Sequence, residues 1–279
     1  MPYTAEISRT HPSCFIFLID QSGSMQDAFG GGESTQKKAD GVAVVINRLL
    51  QNLVIKCAKS EGVRDYYHVG AIGYGAQVGS AFSGAIAGKD LVPISEIANS
   101  PARIETRTKK VDDGAGGLVD QSVRFPTWLD AVANNGTPMC QALDRAQTIL
   151  SGWLAQHPES FPPIVINITD GESTDGDPTS AAEGIKKLAS SDGSVLLFNI
   201  HVSSKNAAPI EFADSESALP DEHAQLLFRL SSTLPEYMRN VAKQEGYRAT
   251  EGTRGFTFNG DMVSLIKFLD IGTRPSNLR

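Results

Sequence analysis

Apolar positions along this chain follow two alternating patterns. Residues 14–20, CFIFLID, form an unbroken apolar run that stops on an acid, as a strand buried on both faces would. After the glycine-rich stretch FGGGEST, residues Val42, Val45, Ile46, Leu49, Leu50, Leu53 and Cys57 recur at helical spacing and predict a helix over about 39–59. YYHVGAIGY resumes strand character, with AQVGSAF as a short strand beside it. From 84 to 136 the pattern is less regular. RIETRTKKV alternates like an exposed strand, DDGAGGLVDQ reads as a glycine-rich loop, and FPTWLDAV carries a few apolar anchors. A second helix follows Thr137, with Met139, Leu143, Ala146, Leu150 and Trp153 as its stripe. PPIVINITD, 162–170, is another buried strand ending on an acid. A helix around 179–190, the strand SVLLFNIHV, a helical region over 221–245, the strand GFTFN and a final helix, MVSLIKFLDI, complete the series.

Strands alternating with helices predict an α/β fold: a doubly wound, Rossmann-like, mostly parallel central sheet with helices on both faces and one short antiparallel edge strand. Ligands of such sheets bind at the carboxyl ends of strands, where neighbouring connections diverge. Asp20 and Asp170 both stand at such ends.

The composition is that of a globular chain: 279 residues, 41% hydrophobic and 20% charged. A net charge of -7 disfavours nucleic acid as a partner, because phosphate binding calls for a basic face. Cys14, Cys57 and Cys140 are too few and too scattered for a disulfide framework and read as small buried hydrophobes. CFIFLI is too short for a signal or membrane segment, so a soluble, cytoplasmic protein without a membrane partner is expected. No H-E-x-x-H, phosphate-binding glycine–lysine loop or G-x-S-x-G elbow occurs, and GYGAQVG misses the dinucleotide spacing. His68 and His201 fall in strands as hydrogen-bonded core or edge residues.

The chemistry gathers around three segments. In an extended loop, alternate side chains face one way, so Asp20, Ser22 and Ser24 can turn three oxygens to one point, with Gly23 removing an obstructing side chain. A loop whose serines cap the next helix explains one hydroxyl but not all three groups in step. Asp170, in ITDGE, brings a second carboxylate to the same sheet edge, and two buried carboxylates without a cation cost several kcal/mol, roughly. Thr137, in NNGTPM, adds a third hydroxyl; its other reading is the N-cap of a helix with Pro138 at the first position. Oxygen-only ligands select a hard cation, Mg²⁺ with Mn²⁺ or Ca²⁺ as substitutes. Two carboxylates balance such an ion, while hydroxyls leave it electrophilic enough to accept a partner's Asp or Glu. Glu172 and Asp175 read as solvated charge and Asp177, before Pro178, as a helix cap. Arg103, Arg107, Lys109 and Lys110 read as a solvated strand face before a docking site for an acidic or phosphorylated partner.

Asp20-x-Ser22-x-Ser24 after a buried strand, Thr137 after Gly136, and Asp170 in TDG together resemble the metal-ion-dependent adhesion site of von Willebrand factor A (VWA) domains. The resemblance implies Mg²⁺ held directly or nearly so by Ser22, Ser24 and Thr137, with Asp20 and Asp170 acting through water and a partner carboxylate completing the octahedron. It implies one domain over 1–279, with an insertion at about 84–136 and an extended segment at about 204–254. NGTPM, PPIVINITDGESTDGDP and FNIHVSS resemble free-standing bacterial VWA proteins of the tellurite-resistance type. That likeness implies a signalling, stress or phage-conflict setting and a co-encoded protein kinase or phosphatase as partner. No general base or nucleophile accompanies the ligands, so a non-catalytic protein–protein interaction module is expected. The alternative is a Mg²⁺-dependent phosphohydrolase resembling the haloacid dehalogenases, with Asp20 as nucleophile. That family wants a second acid where Ser22 stands, and a lysine near the phosphate.

Overall fold

The computed structural model describes residues 2–28, 36–112, 117–203, 207–260 and 267. The strands are β1 (Ser13–Asp20), β2 (Tyr67–Tyr74), β3 (Val78–Ser80), β4 (Val92–Pro93), β5 (Arg103–Asp112), β6 (Leu118–Thr127), β7 (Ile164–Thr169), β8 (Leu196–His201), β9 (Ile210–Glu211) and β10 (Phe256–Phe258). The helices are α1 (Lys38–Cys57), α2 (Ile94–Asn99), α3 (Met139–Gln156), α4 (Thr179–Lys187), α5 (Glu222–Leu230) and α6 (Glu236–Gln244), with short 3₁₀ turns and two-residue hairpins between them. None of the described helices is long and apolar enough to cross a membrane.

Eight strands make one sheet, in the order β9-β10-β8-β7-β1-β2-β3, with β4 also on β2. Its centre is parallel: β1 pairs with β2 and β7, and β8 with β7 and β10. β1 is buried at all eight positions because it has a neighbour on each side and helices on each face. The antiparallel part exceeds the single edge strand expected: β3 and β4 pair with β2, and β9 closes the far edge against β10.

Parity along the strands divides the core into two layers. Phe15, Phe17, Ile166 and Phe198 face α1, α2 and α6; Cys14, Ile16, Leu18 and Val165 face α3, α4 and α5. The stripe expected on the first helix is buried along α1, and each such Val, Ile or Leu contributes roughly 1.5–3 kcal/mol of burial. The chain leaves β1 for β2 on one side and later returns to β7 on the other. Connections therefore diverge between the ends of β1 and β7, where Asp20 and Asp170 stand.

Two segments differ from the sequence reading. Of the loop expected over 112–121, Asp112 and residues 118–121 are instead strand, for Arg103–Asp112 pairs with Leu118–Thr127 over ten residue pairs, and 113–116 lie outside the described residues. The helical region expected over 221–245 is two helices. α5 ends at Leu230, where the amide and hydroxyl of Ser231 donate to the Leu227 carbonyl, and Pro235 precedes α6. FGGGEST and, Lys267 apart, MVSLIKFLDI lie outside the described residues.

Candidate metal centre

Asp20 is the last residue of β1 and is 1% exposed. Its Oδ1 accepts the Ser22 amide at 2.8 Å and its Oδ2 accepts the Thr169 hydroxyl at 2.7 Å. Thr169 Oγ1 accepts in turn from the Gly171 amide at 3.0 Å, so one threonine fastens the β1 end to the β7 end. Burial pushes the Asp20 carboxyl up to about 6; the Ser22 and Thr169 hydrogen bonds pull it down, and the charge of nearby Asp170 raises it again. Thr169 was absent from the expected set. Its signal was its place directly before the acid, on the face of β7 that also carries Val165 and Asn167.

Ser22 and Ser24 share a hydrogen bond, their hydroxyl oxygens 3.0 Å apart. Two oxygens at right angles on an ion with bonds of about 2.1 Å are separated by about 3.0 Å, so the pair has the spacing of one octahedral edge. The capping explanation fails here: the 3₁₀ turn Gly23–Gln26 has no side-chain cap from Ser22, and α1 begins only at Lys38. Met25, fully buried, anchors that turn. Gly23 is not sterically required, because a Cβ there would meet the Asn135 carbonyl oxygen at an ordinary 3.5 Å. Its amide matters instead, donating to that same oxygen at 2.8 Å and joining the loop to the segment before Thr137.

Thr137 is not the cap of α3. The helix begins at Met139, and the free amides of its first turn, Cys140 and Gln141, both donate to the Asp175 carboxylate at 3.0 Å. Asp175 is thus a helix cap supplied from another segment and not solvated charge. Burial raises its carboxyl, and the Gln141 and Cys140 amides outweigh that and leave it lowered. Thr174 adds two bonds, its hydroxyl accepting the Thr137 amide at 2.8 Å and its amide donating to the Thr137 carbonyl at 3.0 Å. Gly136 permits this approach, since a Cβ would lie 2.9 Å from Thr174 Oγ1. Thr137, 4% exposed, has no hydrogen bond on its hydroxyl among the described residues.

Asp170 follows β7, its side chain 11% exposed, and its Oδ2 lies 3.3 Å from the ammonium of Lys38. Lys38 is only 3% exposed and lies 3.8 Å from the exposed carboxylate of Asp27. This lysine was missed, although it stands four residues before Val42 on the stripe that faces the sheet. Gly171, at φ +102°, lets the chain turn where a Cβ would meet His223 at 2.8 Å and His201 at 3.0 Å. His201 is buried against Phe258, and burial holds its imidazole down at about 4 despite Asp221 and Asp170 nearby. Ser24, Lys38, Asp170, His201, Ser203 and His223 line a cavity of about 200 Å³.

Among the described residues no three His, Cys, Asp or Glu side chains converge as a metal cluster. Asp20, Asp170 and the hydroxyls of Ser22, Ser24 and Thr137 offer oxygen atoms only, a chemistry that would suit a hard ion and not zinc. As a phosphohydrolase nucleophile Asp20 is poorly placed, since both oxygens are engaged and the residue is buried. A lysine does lie near Asp170, but Ser22 still occupies the place of the second acid. Asp177 accepts the Thr179 amide at 2.9 Å at the start of α4. In the basic cluster Arg103 pairs with Glu105 and Asp130, Arg107 with Glu105, and Lys110 lies 3.8 Å from Asp120. His68 accepts the Trp153 indole N–H at 2.7 Å.

No family model matches the chain, and no curated protein does. Among solved structures it is similar to the ArnB paralog VWA2 from Sulfolobus acidocaldarius, at 13% identity and a TM-score of 0.35 over 70% of this chain and 35% of that one. It is also similar to the vWF domain of the type V pili tip protein Mfa5 from Porphyromonas gingivalis, at 15% identity and 0.31 over 59% and 39%. A third is the pilus adhesin RrgA from Streptococcus pneumoniae, at 16% and 0.30 over 61% and 22%. The chain spans well under half the length of these three.

Proposed function

We propose that the chain is a VWA-type, non-catalytic protein–protein interaction module that binds an acidic side chain of a partner through Mg²⁺, with Mn²⁺ or Ca²⁺ as substitutes. The observation that carries this reading is the Ser22–Ser24 hydroxyl pair at 3.0 Å, set beside a buried carboxylate. Ser22, Ser24 and Thr137 would hold the ion, with Asp20 and Asp170 supplying the balancing charge. When bound, the ion supplies a Lewis-acidic position for an external Asp or Glu carboxylate. Thr169 and the Ser22 amide hold Asp20 in place, and Asp175 relieves Thr137 of capping. The proposed setting, a cytoplasmic bacterial signalling, stress or phage-conflict system with a co-encoded kinase or phosphatase as partner, rests on sequence resemblance alone.

A ligand that binds only the folded state stabilises it by mass action, about 2.7 kcal/mol at a concentration a hundredfold above its Kd. Millimolar Mg²⁺ is therefore expected to raise the melting temperature by several degrees over the value in EDTA, and Asp20→Ala or Asp170→Ala to abolish the rise while still melting cooperatively. Pull-downs from a source lysate should lose the same partner with EDTA and with either variant. A melting curve blind to Mg²⁺, together with capture that persists in EDTA, sinks the proposal.

A further inference from the structure

Lys38 is the first residue of α1, where the helix dipole disfavours a cation and where a lysine would ordinarily extend into water. Instead it is 3% exposed, with its ammonium 3.3 Å from Asp170 Oδ2 and 3.8 Å from Asp27 Oδ2. Burying an ammonium is tolerated only against paired carboxylates, so this placement is specified by its surroundings. One of the two carboxylates that would balance a divalent ion is thus already balanced by the protein itself. A lysine stem four residues before Val42 also packs along the α1 stripe, which fixes the ammonium instead of leaving it free to swing away.

We infer that Lys38 is a built-in competitor of the divalent ion for Asp170 and sets the metal affinity of the site. The inference rests on the metal reading above. Two cations sharing one carboxylate repel across a few ångströms in a partly desolvated site, where such repulsion is screened little by salt. The ion is therefore held more weakly than the donor set alone allows, although Asp27, 3.8 Å from the ammonium, offsets part of its charge.

The test is titration of the purified full chain with Mn²⁺ alone, following the free ion by electron paramagnetic resonance. Wild type, Lys38→Met and Lys38→Arg are compared, each first shown to melt cooperatively in EDTA. Lys38→Met keeps the stem and removes the charge, and is expected to bind Mn²⁺ about tenfold more tightly or better. Lys38→Arg keeps the charge and is expected to stay near wild type. Lys38→Gln serves as a second neutral variant should the methionine variant fail to fold. If wild type binds Mn²⁺ and the neutral variant binds equally or more weakly, Lys38 positions Asp170 instead of competing for it and the inference is overturned. If neither binds Mn²⁺, the metal reading falls and takes the inference with it.

Discussion

Asp20 and His201 are buried ionisable side chains whose shifts act in opposite directions on stability in the metal-free protein. Asp20 is raised from 3.8 to about 6, so the folded state holds a proton that the unfolded chain has released. Its contribution is fully present below 3.8 and is lost as pH rises through 6. His201 is lowered from 6.5 to about 4, so its contribution is present above 6.5 and is lost as pH falls through 4. Each shift of some two units is worth about 3 kcal/mol, and in wild type the two slopes largely offset between pH 4 and 6. Asp20→Asn removes one of them. In EDTA its denaturant-derived stability is expected to fall by about 3 kcal/mol from pH 6.5 to 4, while wild type stays nearly flat over that window. An equally flat profile in the variant shows the carboxyl to be unshifted. Asp20 and Asp170 stood out in the sequence as candidates because each ends an apolar run, Ser22 and Ser24 because they alternate with Asp20, and Thr137 as a hydroxyl at the start of a helix. Lys38 and Thr169 were passed over despite their positions, since an amphiphilic stem on a helix stripe and a hydroxyl inside a strand both read as ordinary core.

The start of α3 is the element on which the arrangement turns, because its capping group comes from the loop after β7 and not from its own sequence. Asp175 accepts two amides of the first turn, and Thr174 grips Thr137 from both sides of its peptide. Capping of this kind is worth about 1–2 kcal/mol. Asp175→Ala is expected to cost that much in denaturant midpoints and also to shrink the Mg²⁺-induced rise in melting temperature, because the first turn of α3, which follows Thr137, loses its tie to the loop after Asp170. Should stability fall while the Mg²⁺ response stays whole, Asp175 is a cap and nothing more. Helices α1 and α3 were legible because their buried stripes repeat at 3.6 residues. The cap of α3 was not, since a carboxylate supplied from 35 residues away leaves no local pattern. The second hairpin strand, β6, was hidden for a related reason. Most of it is exposed, so its pairing is decided by backbone hydrogen bonds and not by burial.

For the molecule as a whole, the sheet order puts the crevice between β1 and β7, and the β5–β6 hairpin stands outside that sheet as a two-stranded ribbon of its own. Such a ribbon is marginal in water by itself. Its root is held firmly: Phe125 and Trp128 are buried, Arg107 stacks 3.5 Å over the Phe125 ring, and the indole of Trp128 donates to the Ile97 carbonyl. Beyond the root, Asn47 of α1 receives the amides of Trp128 and Leu129 and donates to the Leu129 carbonyl. From there the chain reaches Asn134, whose amide donates to the Gln21 carbonyl within the candidate site. The outer part carries exposed Leu118 and Val119. Replacing residues 107–123 by Asn-Gly, which suits a tight turn between Thr106 and Arg124, removes that outer part together with Arg107 and leaves the rest of the root in place. Loss of the Arg107–Phe125 contact costs roughly 0.5–1 kcal/mol. The melting temperature is therefore expected to change by only a few degrees, and the Mg²⁺-induced rise to match that of wild type. If the shortened chain loses its response to Mg²⁺, the ribbon is part of the metal centre. If it keeps the response but no longer captures a partner, the ribbon is where that partner makes its second contact.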